Sequence, residues 1–313
     1  MSFTETVKNE LARLSRETKE ERTAELLALL RMSGSVVTGG GGAWGAEFTT
    51  GNNAVARRVL VTMKKDFGLV PSVMVRQGRK LRKKNVYTIY VPPQKEGTEF
   101  LIAIGFRPMG GPADTEICKT PEMRRAYLAG AFLGGGSVNR PQGDYHLEMV
   151  TQSYRFAKEI MAMMKTFRLN PKITDRKSDY IVYAKEGDAV CRFLQIIGAV
   201  QCYMEFETVR VTKDVRNKVN RQTNCDMANE KKSFAARERQ MAQIRIVRAH
   251  YDLRRLPKSI VETMELREDN PYETLAELSE ISGISKSGLA HRFQKLAQLA
   301  EEIEAETGER SAT

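Results

Sequence analysis

Ser285-Lys286-Ser287-Gly288-Leu289-Ala290-His291-Arg292, with Lys295 one turn on, groups hydroxyls, an imidazole and three cations within about three helical turns. Lys and Arg donate to guanine O6 and N7 or to phosphate, and Ser donates to either. A second basic group, Arg76-Gln77-Gly78-Arg79-Lys80-Leu81-Arg82-Lys83-Lys84, lies between two strand-like segments. Arg79, Lys80, Arg82, Lys83 and Lys84 are candidate phosphate contacts, since a hairpin so charged reaches along a nucleic-acid backbone; a solvated loop is the alternative. A third group is Asn217, Asn220 and Asn224 with Arg221, the asparagines spaced i, i+3, i+7 and so sharing one helix face. Asn is a poor helix former, so such a stripe needs a reason. Asn220, Arg221 and Asn224 are read as phosphate contacts, with a domain interface or plain exposed surface as the alternatives.

The first group needs an element to present it. A helix over Lys258–Leu266 precedes Asn270-Pro271, and Thr274-Leu275-Ala276-Glu277 has the form of a capping box for a short helix bearing Leu275, Leu278 and Ile281. Ser282-Gly283 makes a turn and Ile284 is a buried hinge apolar. Ser285 caps a last helix with Leu289, Phe293 and Leu296 inward. This is helix-turn-helix spacing, with the second helix placed to enter a major groove. A generic small helical bundle is the alternative, and residues 257–313, with six basic and twelve acidic residues, favour it. Five of those acids, Glu301, Glu302, Glu304, Glu306 and Glu309, lie beyond the recognition segment.

The preceding two thirds read as a duplication. Arg125–Val138 contains small residues Ala129, Gly130 and Ala131 on a helix followed by Gly134-Gly135-Gly136; Ala24–Val36 aligns with it at an offset of 102, Gly34-Ser35-Val36 on Gly136-Ser137-Val138. A helix faced with Ala and Gly approaches a partner closely, and that packing offsets the ~1 kcal/mol cost of a helical Gly. The two copies are expected to pack together about a pseudo-twofold axis. Ser2–Glu5 opens a helix through Leu14, and Thr18 opens the next. Strands are predicted at Val36–Thr38 and Ala46–Thr49 about a Gly39–Gly42 tip, a helix over Asn53–Phe67, strands at Val73–Val75 and Val86–Val91, and a short helix closing at Phe100–Ile104. The second copy repeats the order: a helix from Pro121, strands near Ser137-Val138 and His146–Val150, a helix over Ser153–Phe167, strands at Pro171–Thr174 and Tyr180–Tyr183, and a helix capped by Asp188 through Ile197. From Tyr203 to His250 the pattern is helical and basic, with Asn229–Ser233 expected to break it in two.

The net charge of +11 is concentrated: residues 52–91 carry ten basic residues and one acid, and 201–256 thirteen and seven. Such clusters suggest a polyanionic partner, nucleic acid first. No apolar run approaches the ~18 residues of a membrane span, so no membrane partner is expected. The start lacks a basic-then-apolar signal, and Cys118, Cys191, Cys202 and Cys225 show no metal spacing with His146, His250 or His291. A cytoplasmic protein, nucleoid-associated, without cofactor or metal, is expected.

Leu128–Gly136 resembles the nine-residue LAGLIDADG signature of homing endonucleases. In that family the eighth position carries a metal-binding acid; here it is Gly135 in one copy and Ser33 in the other, and neither ligates Mg²⁺. The sixth positions are Leu133 and Arg31. The resemblance implies two saddle-shaped antiparallel sheets straddling DNA with no catalytic residues. Order of parts, the signature, Asn220-Arg221-Gln222-Thr223-Asn224-Cys225 and Ile284–Arg292 together resemble the WhiA family of bacterial regulators. The fold class expected is therefore α+β, a duplicated αββαββα LAGLIDADG-like domain (1–203, repeats about 18–105 and 120–200), then a basic helical linker (204–255) and an all-α helix-turn-helix domain (256–313). The family implies a sequence-specific regulator acting on promoter double-stranded DNA, linked to cell division and sporulation, with RNA polymerase or another regulator as candidate protein partner. Ser285, Lys286, Ser287, His291, Arg292 and Lys295 are the DNA-binding candidates. The other classes kept open are a metal-dependent endonuclease, for which Glu47 and Glu148 are the candidate ligands, and an RNA-binding or scaffolding protein.

Overall fold

The computed structural model describes residues 2–77, 85–106 and 118–311. It divides into two compact units, 1–214 and 215–313.

In the first unit α1 (Phe3–Arg13) begins on a complete Ser2/Glu5 capping box, and α2 (Lys19–Ser33) on Thr18, whose hydroxyl accepts from the Glu21 amide. There follow β1 (Gly34–Thr38), β2 (Trp44–Thr50), α3 (Asn53–Phe67), β3 (Ser72–Gln77), β4 (Asn85–Val91) and α4 (Lys95–Ala103). The order recurs as α5 (Pro121–Gly135), β5 (Gly136–Val138), β6 (Leu147–Thr151), α6 (Tyr154–Thr166), β7 (Lys172–Arg176), β8 (Asp179–Ala184) and α7 (Gly187–Ile197). Each copy forms a four-stranded antiparallel sheet, ordered β1-β2-β4-β3 and β5-β6-β8-β7. The same topology twice confirms the duplication. Asp188 is not the cap of α7; Glu186 holds that position, and the Asp188 carboxylate faces Arg210 at 3.0 Å.

α2 and α5 pack face to face at the centre of this unit. Ala24, Ala28, Ala126, Ala129 and Ala131 are buried there with Leu27, Leu128 and Phe132. A Cβ added to Gly130 would overlap the Glu25 carbonyl on the facing helix, so only glycine permits the crossing. One face of each sheet closes over these helices through Ala46, Phe48, Ile89 and Val91 in one copy and Leu147, Met149 and Val182 in the other. Alternation leaves Glu47, Thr49, Thr88 and Tyr90, and Glu148, Val150, Ile181 and Tyr183, on the opposite faces.

α8 runs from Val200 to His250, and the boundary between the units falls inside it. The expected break at Asn229–Ser233 is absent: none of the five residues is Gly or Pro, and each costs well under ~1 kcal/mol in a helix. Glu10 of α1 accepts from the Gln201 and Cys202 amides at 2.7 and 3.0 Å, capping the start of α8.

The second unit is helical: the later part of α8, then α9 (Lys258–Asp269), α10 (Leu275–Ser282) and α11 (Lys286–Ser311). Its core joins Ile244 and Val247 of α8 to Ile260, Met264, Leu278, Leu289, Phe293 and Leu296. Ile281, expected among the apolar residues of its helix, is 56% exposed, and Ile284 is half-buried against the core.

Candidate nucleic-acid interface

Local chemistry fixes the turn between α10 and α11. Thr274 and Glu277 complete the predicted capping box, the Thr274 amide donating to Glu277 Oε2 at 2.6 Å and the Glu277 amide to Thr274 Oγ1 at 3.3 Å. Gly283 ends α10 at φ 68°, a left-handed conformation that glycine adopts without strain. The Ser279 hydroxyl donates to the Ile284 carbonyl at 2.6 Å, and the Ser285 hydroxyl accepts the Gly288 amide at 3.2 Å, capping the next helix. Ser285 is thus a cap first.

Leu289, Phe293 and Leu296 turn α11 inward, so its opposite face is set by periodicity: Ser287, His291, Gln294, Lys295 and Gln298 are exposed on it, Ala290 is exposed at its flank, and Lys286, on the inward stripe seven residues before Phe293, is exposed because it begins the helix. Lys286, His291, Gln294 and Lys295 have no partner among the described residues, and the Ser287 hydroxyl contacts only Ser285 Oγ, at 3.2 Å. Arg292 differs. Its side chain is 26% exposed, its Nη1 donates to the Ser259 carbonyl at 3.3 Å, and Glu262 stands 4.0 Å away. It braces α11 on α9, to one side of the exposed face.

Gln294 was missing from the sequence reading. Its signal was available, since it lies seven residues after Ser287 and three after His291, and a glutamine at such a position makes two bonds to adenine.

Behind this face Arg267 is 1% exposed. Its Nε donates to Gln240 Oε1 at 3.0 Å and its Nη1 to the Asn270 and Glu273 carbonyls at 3.2 and 2.6 Å, while its guanidinium lies 5.5 Å from the Phe293 ring centroid. Burial lowers its pKa, the neighbouring Arg237 charge acts in the same direction, and Glu273 opposes both without offsetting them. One side chain thereby ties α8, the α9–α10 connection and the recognition helix together.

On α8, residues 214–232 are exposed all round, and Asn217, Asn220, Arg221 and Asn224 are among them. The neighbouring Arg210 is not free: Glu207, Asp188 and Asp214 surround it at 2.6, 3.0 and 3.4 Å, and its pKa is raised, chiefly by the Glu207 bond. Arg79, Lys80, Arg82, Lys83 and Lys84 lie outside the described residues. β3, which leads towards them, is exposed along its whole length.

Neither eighth signature position in the first unit supplies a metal ligand. A Cβ on Gly135 would come within 2.8 Å of Met32 Cγ and of the Val150 carbonyl, so an acid does not fit there. The Ser33 hydroxyl donates to the Leu29 carbonyl of its own helix at 3.1 Å. Glu47 and Glu148 do occupy matching places, opposite Ser35 and Ser137 in register. Glu148 accepts from the Ser137 hydroxyl at 3.0 Å and faces His146 Nε2 at 3.2 Å. Among the described residues no three His, Cys, Asp or Glu side chains group as a metal site requires, and no helix is long and apolar enough to cross a membrane.

A LAGLIDADG-like scaffold without its acids, followed by a helix-turn-helix, defines a class of two-part proteins. Residues 19–106 match the WhiA N-terminal LAGLIDADG-like domain, 124–216 the WhiA LAGLIDADG-like domain, and 219–300 the WhiA C-terminal HTH domain. The chain is 40% identical over 311 residues to the probable cell division protein WhiA of Desulforamulus reducens, covering 97% of this chain and 96% of that one. The corresponding protein of Thermoanaerobacter sp. is 38% identical over 312 residues, covering 97% and 98%. The crystal structure of full-length DUF199/WhiA from Thermatoga maritima shares the fold, with a TM-score of 0.60 at 22% identity over 96% of this chain and 99% of that one. The chain belongs to the WhiA family.

Proposed function

We propose that the protein is a sequence-specific double-stranded-DNA-binding regulator, linked to cell division as its relatives' names state and, in spore formers, to sporulation. It acts in the cytoplasm at promoter regions, with RNA polymerase or another regulator as protein partner, and it uses the LAGLIDADG-like unit as a non-catalytic scaffold. The observation that carries this is the outward face of α11, where Ser287, His291, Gln294 and Lys295 stand together with no carboxylate partner among the described residues and Lys286 is exposed at the start of the same helix. Gln294 and His291 offer donors and acceptors to base edges, and the lysines offer point charges to phosphate or guanine. Asn220, Arg221 and Asn224 add phosphate contacts from α8, and the Arg79–Lys84 segment adds more. Arg292 serves by holding the helix.

The test is selection of a random duplex pool by the full chain with magnesium present, repeated with a His291→Ala/Gln294→Ala double variant. The expected result is one enriched motif, lost in the variant, and intact DNA ends. Cut ends would restore the endonuclease reading. No enrichment, or a preference for single-stranded RNA, would sink the regulator reading.

A further inference from the structure

α1 and α3 wall a cleft of about 1140 Å³ in the first unit that the DNA-binding reading does not use. Four arginines line it, Arg13, Arg57, Arg58 and Arg140, against one carboxylate, Glu5. The Glu5 carboxylate already accepts the Ser2 amide at 3.0 Å. Arg13 and Arg57 are exposed and make no ion pair among the described residues. Arg58 donates through Nε to Glu25 at 2.8 Å and through Nη1 to the Leu14 carbonyl at 2.6 Å, while its Nη2 is shut from solvent and bonded to nothing in the protein.

The backbone at the cleft suits the same ligand chemistry. β2 passes through Gly51 into the start of α3, and a Cβ at Gly51 would meet nothing within 4 Å, so the chain there is open to an approaching group. Asn52 caps the helix, and no acid stands in its first turn. Amides at that end and guanidinium forks from two helices converge on what a phosphoryl group needs.

The duplication supplies an internal control. Aligned on the caps Asn52 and Ser153, Arg57 and Arg58 correspond to Lys158 and Glu159. In the second copy those groups are engaged: Lys158 lies over the Tyr154 ring at 4.6 Å, that ring packs on Tyr180 at 5.1 Å, and Glu159 pairs with Arg31. In the first copy Arg58 is likewise paired, with Glu25, so the difference rests on Arg57, which lines the cleft with no ion pair among the described residues. The cleft is lined from α1, α3, Gly51 after β2 and Arg140 between β5 and β6, and none of the open-face strand residues named above is part of its lining.

We infer that the cleft binds the phosphoryl groups of a small phosphorylated metabolite, of nucleotide or sugar-phosphate size. Its volume is close to the ~300–1,000 Å³ range of such sites. The phosphate of a DNA backbone shares this chemistry, and the test separates the two sources.

The full chain is titrated calorimetrically with pyrophosphate and with ATP at low salt, beside Arg57→Glu, Arg13→Glu and His291→Ala. Saturable binding of at least one probe is expected, weakened tenfold or more by either charge reversal at unchanged Tm, and unaltered in His291→Ala. That last arm separates the cleft from the DNA-reading helix. A 20-base-pair random duplex is then added as competitor. If it displaces the bound probe and Arg57→Glu loses duplex affinity in parallel, the cleft is a backbone contact and the metabolite assignment falls. Binding of neither probe, or equal binding by wild type and Arg57→Glu, overturns it as well.

Discussion

The two units handle their polar groups in opposite ways. In the first, several charged groups around the signature helices and the adjacent strands are bonded within the protein. Arg31, at the sixth position of the weaker signature copy, donates to Tyr127 Oη at 2.6 Å and Glu159 at 2.5 Å and lies 4.2 Å from the Phe156 ring centroid. Glu25, 3% exposed, is held between Arg16 and Arg58, both at 2.8 Å. Glu148 is occupied by Ser137 and His146. In the second unit Arg267, the one deeply buried charge among the described residues, supports a helix whose outer face has no ion pair among those residues. A group already hydrogen-bonded inside the protein must break that bond before it can serve a ligand, which costs about 1–3 kcal/mol. The free face of α11 has no such cost. On the proposed function, recognition would fall to the second unit.

The largest effect should come from the core of the scaffold. Gly130→Val places a branched side chain against the Glu25 carbonyl, where a single Cβ already overlaps. A loss of at least about 4 kcal/mol in urea unfolding of the first unit is expected. A loss below about 1 kcal/mol would mean that α2 and α5 do not cross so closely. Arg267→Ala comes next, with a loss of about 3 kcal/mol, since it strands Gln240 and the Asn270 and Glu273 carbonyls in the interior. Its effect on DNA should follow stability alone: at a temperature where the variant is folded, the enriched site is unchanged. A changed site preference would show that Arg267 does more than brace the helix.

Base reading is the sharper form of the comparison. Gln294→Ala is expected to weaken the enriched site by about 2 kcal/mol and random duplex far less. Arg292→Ala should instead lower the thermal stability of the second unit and weaken both duplexes alike, because its guanidinium lies on the Ser259 carbonyl. Competition binding at fixed salt distinguishes them. The reverse pattern would place Arg292 in the groove and return Gln294 to the solvent surface.

Much of this was legible in the chain. Capping residues Ser2, Thr18 and Thr274 each sit one residue before a helix, and strands were expected near all eight places where they occur, by alternation at Val73–Val75 and Val86–Val91 and by the repeated element order in the second copy. Those signals are local, so sequence carries them. What was missed depends on direction or on distance. Arg292 and Gln294 are two residues apart, and helical period separates them by about 200°, which shows only once Leu289, Phe293 and Leu296 fix the inward side. The continuity of α8 was misjudged because a polar run resembles a break, although the backbone tolerates every residue in it. The Arg13–Arg57 cleft joins helices some forty residues apart, and no motif announces it.

The smallest predicted effect concerns acid. Arg22 donates to both carboxylate oxygens of Asp66, at 2.7 and 2.8 Å, and this bond holds the Asp66 pKa below its ordinary value of 3.8. A carboxyl depressed in the folded state contributes stability at pH values above 3.8, and the contribution disappears as pH falls through its folded value. Asp66→Asn should therefore destabilise the first unit by the same amount at pH 6 and pH 8, while the gap from wild type narrows below about pH 4. Unfolding in urea across that range, followed by a probe in the first unit, gives the gap directly. A gap that persisted undiminished at pH 2 would mean that Asp66 acts through shape and not through charge.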